Sequence, residues 1–507
     1  MPRRCFKLLA IVLALRVLLF SAMAHPTLAP IFTDHAVLQR DQPVPVWGRA
    51  APGEKITVTF RAQTIGATAD ADGRWIVYLA PMSAAIEPAE LVVAGESTVT
   101  IRDVLVGEVW LVSGQSNMEW PLSSTPDAAK TIAAINQPFI RQLLITHTVA
   151  DAPADTVASS GWQAATPASA SAFSAVAWYF AAELQRKLGV PVGIINSSWG
   201  GTAIEAWIDA RTLRAATAWS GIEQRWRAGL AEFAERSTHH PAEMLAWQRA
   251  EDQARATKTK NPLPWPRVPI GPGTPYMPAG LFNAMIAPLQ PYGLRGVLWY
   301  QGESDCGRPG EYAELFPAMI RAWRAQWGRE LPFYFVQLPN YISPGDASGH
   351  EWAWLREAQT AALKLPATGM AVTIDCGDPD DIHPQNKPLV GRRLARLAES
   401  KLYGIASDWS GPRFASATRE GSALRVRFTQ VDTGLIAAGK PPQSFLLAGA
   451  DRVFHPATAA IERDTVLVTA PQVPEPVAVR YAWSNAPVAN LFNGAGLPAA
   501  PFRSDDW

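Results

Sequence analysis

Cysteine is scarce in this chain. There are three in 507 residues, and Cys5 lies in an N-terminal stretch patterned like a removable signal. The other two, Cys306 and Cys376, could form one disulfide in an oxidising compartment or stay free. Either way, a fold this long must rest on apolar cores and not on a disulfide framework. Net charge is absent as well. Lys plus Arg number 45 and Asp plus Glu number 45, with no basic run, so no general attraction to nucleic acid or to an anionic membrane is expected. Beyond residue 24 no apolar run is long enough to cross a bilayer, and no internal repeat is present.

What the chain does have is length, apolar residues and tryptophan. Hydrophobic residues make up 48% and charged residues 18%, with 20 Trp. That is a soluble globular balance, and 507 residues suggest two or three domains. Most of the Trp should pack in cores. A minority lining a groove would suit sugar rings, whose C–H faces stack on aromatics. The N-terminus reads as an export signal over residues 1–24. Arg3, Arg4 and Lys7 precede an apolar stretch, Leu8 to Phe20 interrupted by Arg16, and Ala22-Met23-Ala24 ends it with small residues. The mature chain is expected to start at His25, in the periplasm or outside the cell. An uncleaved anchor is the competing reading, and the arginine pair leaves Sec and twin-arginine export both open.

The pattern along the chain changes twice. Residues 25–103 read as a small all-β domain of short strands, including Val44–Trp47, Lys55–Phe60, Trp75–Leu79 and Thr98–Val104, with turns at Pro52-Gly53 and Asp72-Gly73. Residues 104–404 alternate strands and helices, which implies an α/β domain with a parallel sheet and helices on both faces. The predicted strands there are Glu108–Ser113, Ile140–Thr146, Val192–Asn196, Gly296–Tyr300, Phe333–Gln337 and Met370–Asp375. A helix over Ser174–Leu188 should close at Gly189. Residues 203–280, first helical and Trp-bearing, then Pro-rich, interrupt the alternation and read as an insertion near the ligand-binding face. Strands return over 405–507.

Four segments follow predicted strands, where open α/β sheets bind ligands. In Gly114-Gln115-Ser116-Asn117-Met118 a Ser sits just past a buried strand and a Gly, a position that can expose its hydroxyl. It is not the Gly-x-Ser-x-Gly elbow, because Met118 replaces the second Gly. In Trp199-Gly200-Gly201-Thr202 adjacent glycines let backbone N–H groups approach a ligand. In Gln301-Gly302-Glu303-Ser304-Asp305 polar groups follow an apolar strand, where they must be paired or used. Gln301 could aim an amide N–H at an oxyanion, whereas Glu303 suits a structural network. In Asp378-Pro379-Asp380-Asp381-Ile382-His383 an Asp three residues before the His can accept from Nδ1, leaving Nε2 for a Ser. Asp381 is then expected to cap the helix that starts near Asn386. A Ca²⁺ site using Asp375, Asp378, Asp380 and Asp381 is a minor alternative.

Together, Gly-Gln-Ser-Asn-Met, Trp-Gly-Gly-Thr, Gln-Gly-Glu-Ser-Asp and Asp-x-x-His resemble the SGNH hydrolases, in the branch of sialate O-acetylesterase-like carbohydrate esterases. The likeness extends to Thr33–Gln39 and Asn490–Asn493. It implies an SGNH-type, flavodoxin-like parallel sheet and a serine acetylesterase acting on O-acetylated carbohydrate. It assigns Ser116 as nucleophile, His383 as general base and Asp380 as its orienter. Ser116 N–H, Gly200 N–H and Gln301 would form the oxyanion hole, with Gly201 an alternative to Gly200. Gln301 stands where most SGNH enzymes carry Asn. Such chemistry needs no metal or organic cofactor. A secreted carbohydrate-binding protein without activity, and an esterase for a lipid or thioester, remain the alternatives.

Overall fold

The computed structural model of the chain describes residues 25–257, 259, 261–405 and 408–507. The segment read as an export signal lies outside them. The centre is a seven-strand path within a larger sheet. Its strands are β1 (Thr98–Gly114), β2 (Gln137–Ile145), β3 (Ser159–Ala165), β4 (Val192–Ser198), β5 (Gly296–Tyr300), β6 (Phe333–Val336) and β7 (Thr368–Ala371). They lie in the order β3-β2-β4-β1-β5-β6-β7. All pairings are parallel except β3 on β2. Without the outer pair β2 and β3, the order is the 2-1-3-4-5 of flavodoxin-like sheets. Every residue of β4 and β5 is buried, which explains why β5 and the first part of β4, residues 192–195, are continuous apolar runs and not alternation.

Helices cover both faces. On one side α1 (Ala175–Leu188) packs against α5 (Lys387–Lys401). The approach is close because α5 presents Gly391, where a Cβ would come within 2.7 Å of the Val176 carbonyl oxygen. Local signals delimit both helices. Ser174 Oγ accepts from Ala177 N–H at the start of α1 and Gly189 ends it at φ 67°, while Asn386 Oδ1 accepts from Leu389 N–H at the start of α5. On the other side lie α3 (Pro309–Gln326) and α4 (Glu351–Thr360), packed together. The insertion is dominated by one long helix, α2 (Trp219–Thr257).

The boundary expected at 103/104 falls inside a strand. β1 runs unbroken for 17 residues. Its first half pairs with Ala85–Ala94 in the N-terminal β region, and its second half, from Glu108, with β4 and β5. From Val104 to Gly114 every residue is buried, so no polar turn separates the halves. Glu108 sits at the join, fully buried between Arg40 (2.5 Å) and Arg295 (2.7 Å). Burial works against its charge, but the two guanidiniums outweigh burial and hold the carboxyl below its usual range.

The C-terminal residues form a seven-stranded sheet, with antiparallel pairings, over a core that includes Val426, Phe445, Leu447, Val466 and Tyr481. Arg356 of α4, fully buried, pins this region to the central sheet. It donates to the carbonyls of Leu338 and Pro339 on one side and of Ser484 and Asn485 on the other, all at 2.7–2.8 Å.

Candidate active site

The carboxyl ends of β1, β4 and β5 place three of the four sequence segments side by side, and the loop after β7 adds the fourth. β1 ends at Gly114 with φ 135°, packed so tightly that a Cβ would lie 2.1 Å from the Tyr300 carbonyl oxygen. Only glycine fits there. Gln115 then clamps the turn to the loop after β5. Its N–H donates to Tyr300 O (3.0 Å) and its Oε1 accepts from Ser304 N–H (3.3 Å). Ser116 follows, opening a short helix, Ser116–Glu119. Its Oγ lies 2.9 Å from Nε2 of His383, across 267 residues of sequence.

His383 is three-quarters hidden beneath Trp120, whose ring stacks on the imidazole at 4.8 Å. Burial, and then the neighbouring Lys387 charge, pull its pKa down to about 4, with Asp381 opposing. The imidazole is therefore neutral through the physiological range, the form that can take a proton from Ser116.

The carboxylate beside the imidazole is not the one expected. Asp380 is exposed, and its own N–H donates to Asp378 Oδ1 (2.9 Å), a local turn that sends the side chain outward. Asp381 makes the next such turn. Its Oδ1 accepts from the His383 N–H (2.8 Å) and stands 3.8 Å from Nδ1, too far for a hydrogen bond but inside ion-pair range. Asp381 does not cap α5, since Asn386 does. Asp375 is held bidentately by Arg393 (2.6 and 2.7 Å). Among the described residues no cluster of three or more His, Cys, Asp or Glu is placed to hold a metal.

The expected oxyanion donors fare differently. Gly200 sits against Ser116, since a Cβ built on it would lie 3.3 Å from Ser116 Cβ. Its N–H, however, donates to Glu119 Oε2 at 2.6 Å. Gln301 is fully buried and turned to a structural task. Its Nε2 donates to Asp305 Oδ2 (2.5 Å) and Thr202 O (3.1 Å), which uses both amide hydrogens. The reason is Asp305, a buried carboxyl whose pKa burial and Glu205 push upward and which needs donors. In this arrangement Gln301 has no hydrogen left for an oxyanion.

Several site residues escaped the sequence reading. Asn117 joins the two catalytic loops, its Nδ2 donating to Ile382 O (3.0 Å) and Glu303 Oε1 (2.6 Å). Lys387 Nζ donates to Asn117 Oδ1 and lies over the rings of Trp120 and Tyr300 at 5.4 and 5.7 Å. Burial brings its pKa down to about 7, with Glu303 opposing. Glu303, read from the sequence as suited to a structural network, is buried in this one, its carboxyl raised by that burial, with Asn117 and Lys387 opposing. Adjacency to Ser116 and a place in the first turn after His383 were the available signals. His147, from the loop after β2, had none. It lies 2.9 Å from Glu119 Oε1 and stacks on Trp199 at 4.2 Å.

Beside Gly201 opens a cavity of about 470 Å³, walled by Trp226, Trp265 and Tyr276 of the insertion and by Ser304 and Arg308 of the loop after β5. Of the insertion tryptophans, Trp207 is instead core and Trp247 packs edge-on against Trp265 at 4.6 Å. Cys306 and Cys376 are both free thiols. Burial raises both, Cys376 to about 12, so neither offers a thiolate.

Comparison with known proteins gives a consistent result. The signature described as "Carbohydrate esterase, sialic acid-specific acetylesterase" matches residues 275–400, the stretch holding Gln301, Asp381, His383 and Lys387. A crystal structure of a carbohydrate acetylesterase from Xanthomonas citri superposes with a TM-score of 0.81 at 41% identity, covering 95% of this chain and 100% of that one. Sialate O-acetylesterase of Mus musculus is 29% identical over 94% of this chain and 93% of its own length. The Pongo abelii protein of the same name is 32% identical over 71% and 67%.

Proposed function

The chain belongs to the sialate O-acetylesterase family of carbohydrate esterases, and on that premise we propose that it releases acetate from O-acetylated sugars with Ser116 as nucleophile and His383 as base. The observation that carries this is the 2.9 Å contact between Ser116 Oγ and the neutral Nε2 of His383. Ser116 attacks the acetyl carbonyl while His383 takes its proton. The sugar alcohol leaves with that proton, and water, activated by the same imidazole, frees acetate. The imidazolium formed in each step is stabilised by Asp381. The oxyanion is received by Ser116 N–H, in the first turn of its helix where N–H groups have no intrahelical partner, and by Gly200 N–H.

The aromatic cavity beside Gly201 supports a saccharide as the alcohol component, because Trp226, Trp265 and Tyr276 offer faces to C–H groups of a ring. Which sugar carries the acetyl group is a question for a panel of acetylated sialic acid, xylan and xyloglucan. The pattern of residues 1–24 supports export, to be checked by N-terminal sequencing of the secreted protein, with His25 expected first. Among the described residues no helix is long and apolar enough to cross a membrane. The central test is Ser116→Ala. The variant should keep the wild-type melting temperature, fail to react with a fluorophosphonate probe and release no acetate. Retention of more than a few per cent of activity would remove Ser116 from the role.

A further inference from the structure

Glu119 stands three residues past Ser116, and its carboxylate is held at both oxygens. Oε2 accepts from Gly200 N–H at 2.6 Å, and Oε1 lies 2.9 Å from Nε2 of His147. The same Nε2 lies 3.1 Å from Ser198 O, so its one N–H is shared between the two oxygens, and the ring lies flat on Trp199, with 5° between the planes. Burial works to lower the His147 pKa, but Glu119 and the Ser198 carbonyl outweigh it and hold the imidazole above its ordinary value. Both side chains are about one-third exposed, so the pair is open to the site and not sealed in the core. The seat they form, a backbone N–H against the nucleophile and an imidazole N–H beside it, is a carboxylate site filled from within the chain.

We infer that the Glu119 carboxylate occupies the Gly200 arm of the oxyanion hole in the resting enzyme, held there by His147, and that the substrate's acetyl oxygen, or product acetate, must displace it. This rests on the reading of Gly200 N–H as an oxyanion donor. A carboxylate oxygen on that N–H excludes a carbonyl oxygen from the same hydrogen. Acetate carries the same functional group as the Glu119 side chain and is the small anion that should take its place. His147 provides the surface that retains Glu119, and it comes from the loop after β2, a strand lying outside the five-strand flavodoxin-like order.

The test replaces Glu119 and reads two quantities, kcat/KM for 4-nitrophenyl acetate and binding of sodium acetate, the latter by calorimetry so that it does not depend on turnover. A hydrogen bond to a charged acceptor is strong enough that Glu119→Ala should raise kcat/KM about tenfold and tighten acetate binding by at least as much. Glu119→Gln, which keeps the shape and a neutral acceptor, should fall between Glu119→Ala and wild type on both readings. His147→Ala should move both in the same direction by less. If Glu119→Ala instead lowers kcat/KM and leaves acetate affinity unchanged, Glu119 merely positions the Gly200 loop and the inference is overturned. Tighter acetate binding without esterase activity in any variant, wild type included, would spare the seat and sink the proposed reaction.

Discussion

Two adjacent carboxylates near His383 should behave very differently when each is made neutral. Asp381 Oδ1 stands 3.8 Å from Nδ1 and its side chain is 42% exposed. Two charges at that distance interact by roughly 1 kcal/mol in water and about 2 kcal/mol at half that dielectric. Solvent screening at so exposed a site keeps the value near the lower end. The imidazolium formed in the transition state should therefore lose stabilisation worth about 5-fold, and no more than about 30-fold, in kcat when Asp381 becomes Asn. This is far below the loss of about 10⁴ seen where a buried carboxylate bonds Nδ1 directly. Asp380→Asn removes a charge that points to solvent, so kcat should stay within about twofold of wild type, the scale of a surface change. Both variants should be melted, and assayed by hydrolysis of 4-nitrophenyl acetate near pH 8. A dead Asp380→Asn enzyme would refute the assignment of the partner. A loss of about 10⁴ for Asp381→Asn would refute the loose-pair argument, because it requires the carboxylate to close onto Nδ1 during catalysis.

Lys387→Met tests what holds the base neutral. The Lys387 charge lowers the His383 pKa, which burial and this charge bring to about 4. Without the ammonium the imidazole keeps its proton to higher pH, so the acid limb of kcat/KM should move upward from about 4, and an unmoved limb would show burial alone sets it. Gln301→Ala should act on the fold more than on the chemistry. Taking one of its donors from the buried Asp305 carboxyl, which keeps Ile204 N–H and Arg308, should cost about 1–3 kcal/mol of stability, while kcat falls less than tenfold. A fall of about 10² to 10³ in kcat at unchanged melting temperature would return Gln301 to the oxyanion hole.

Much of the molecule is written locally. Strands buried on both faces favour continuous apolar runs, and β5 and residues 192–195 of β4 are read as such from composition alone. Helix α1 carries its own cap in Ser174 and its own stop in Gly189. A Ser after Gly114 and a His after an acidic turn mark the proposed nucleophile and base because each lies just past a strand end, where a parallel sheet gathers its loops. The longer-range decisions are of another kind. Whether Thr98–Val104 and Glu108–Ser113 are two strands or one depended on which neighbours bury residues 104–107, and those neighbours, Val37–Gln39 and Ala85–Ala94, come from separate parts of the N-terminal β region. The choice between Asp380 and Asp381 turned on two consecutive turns whose hydrogen bonds differ by one residue. Gln301 was claimed by a buried carboxyl four residues on, and the Gly200 N–H by a glutamate 81 residues earlier. Sequence spacing ranks which residues can reach a reacting atom. Competition among buried polar groups for the few available donors decides which of them does, and only the tertiary structure brings those competitors together.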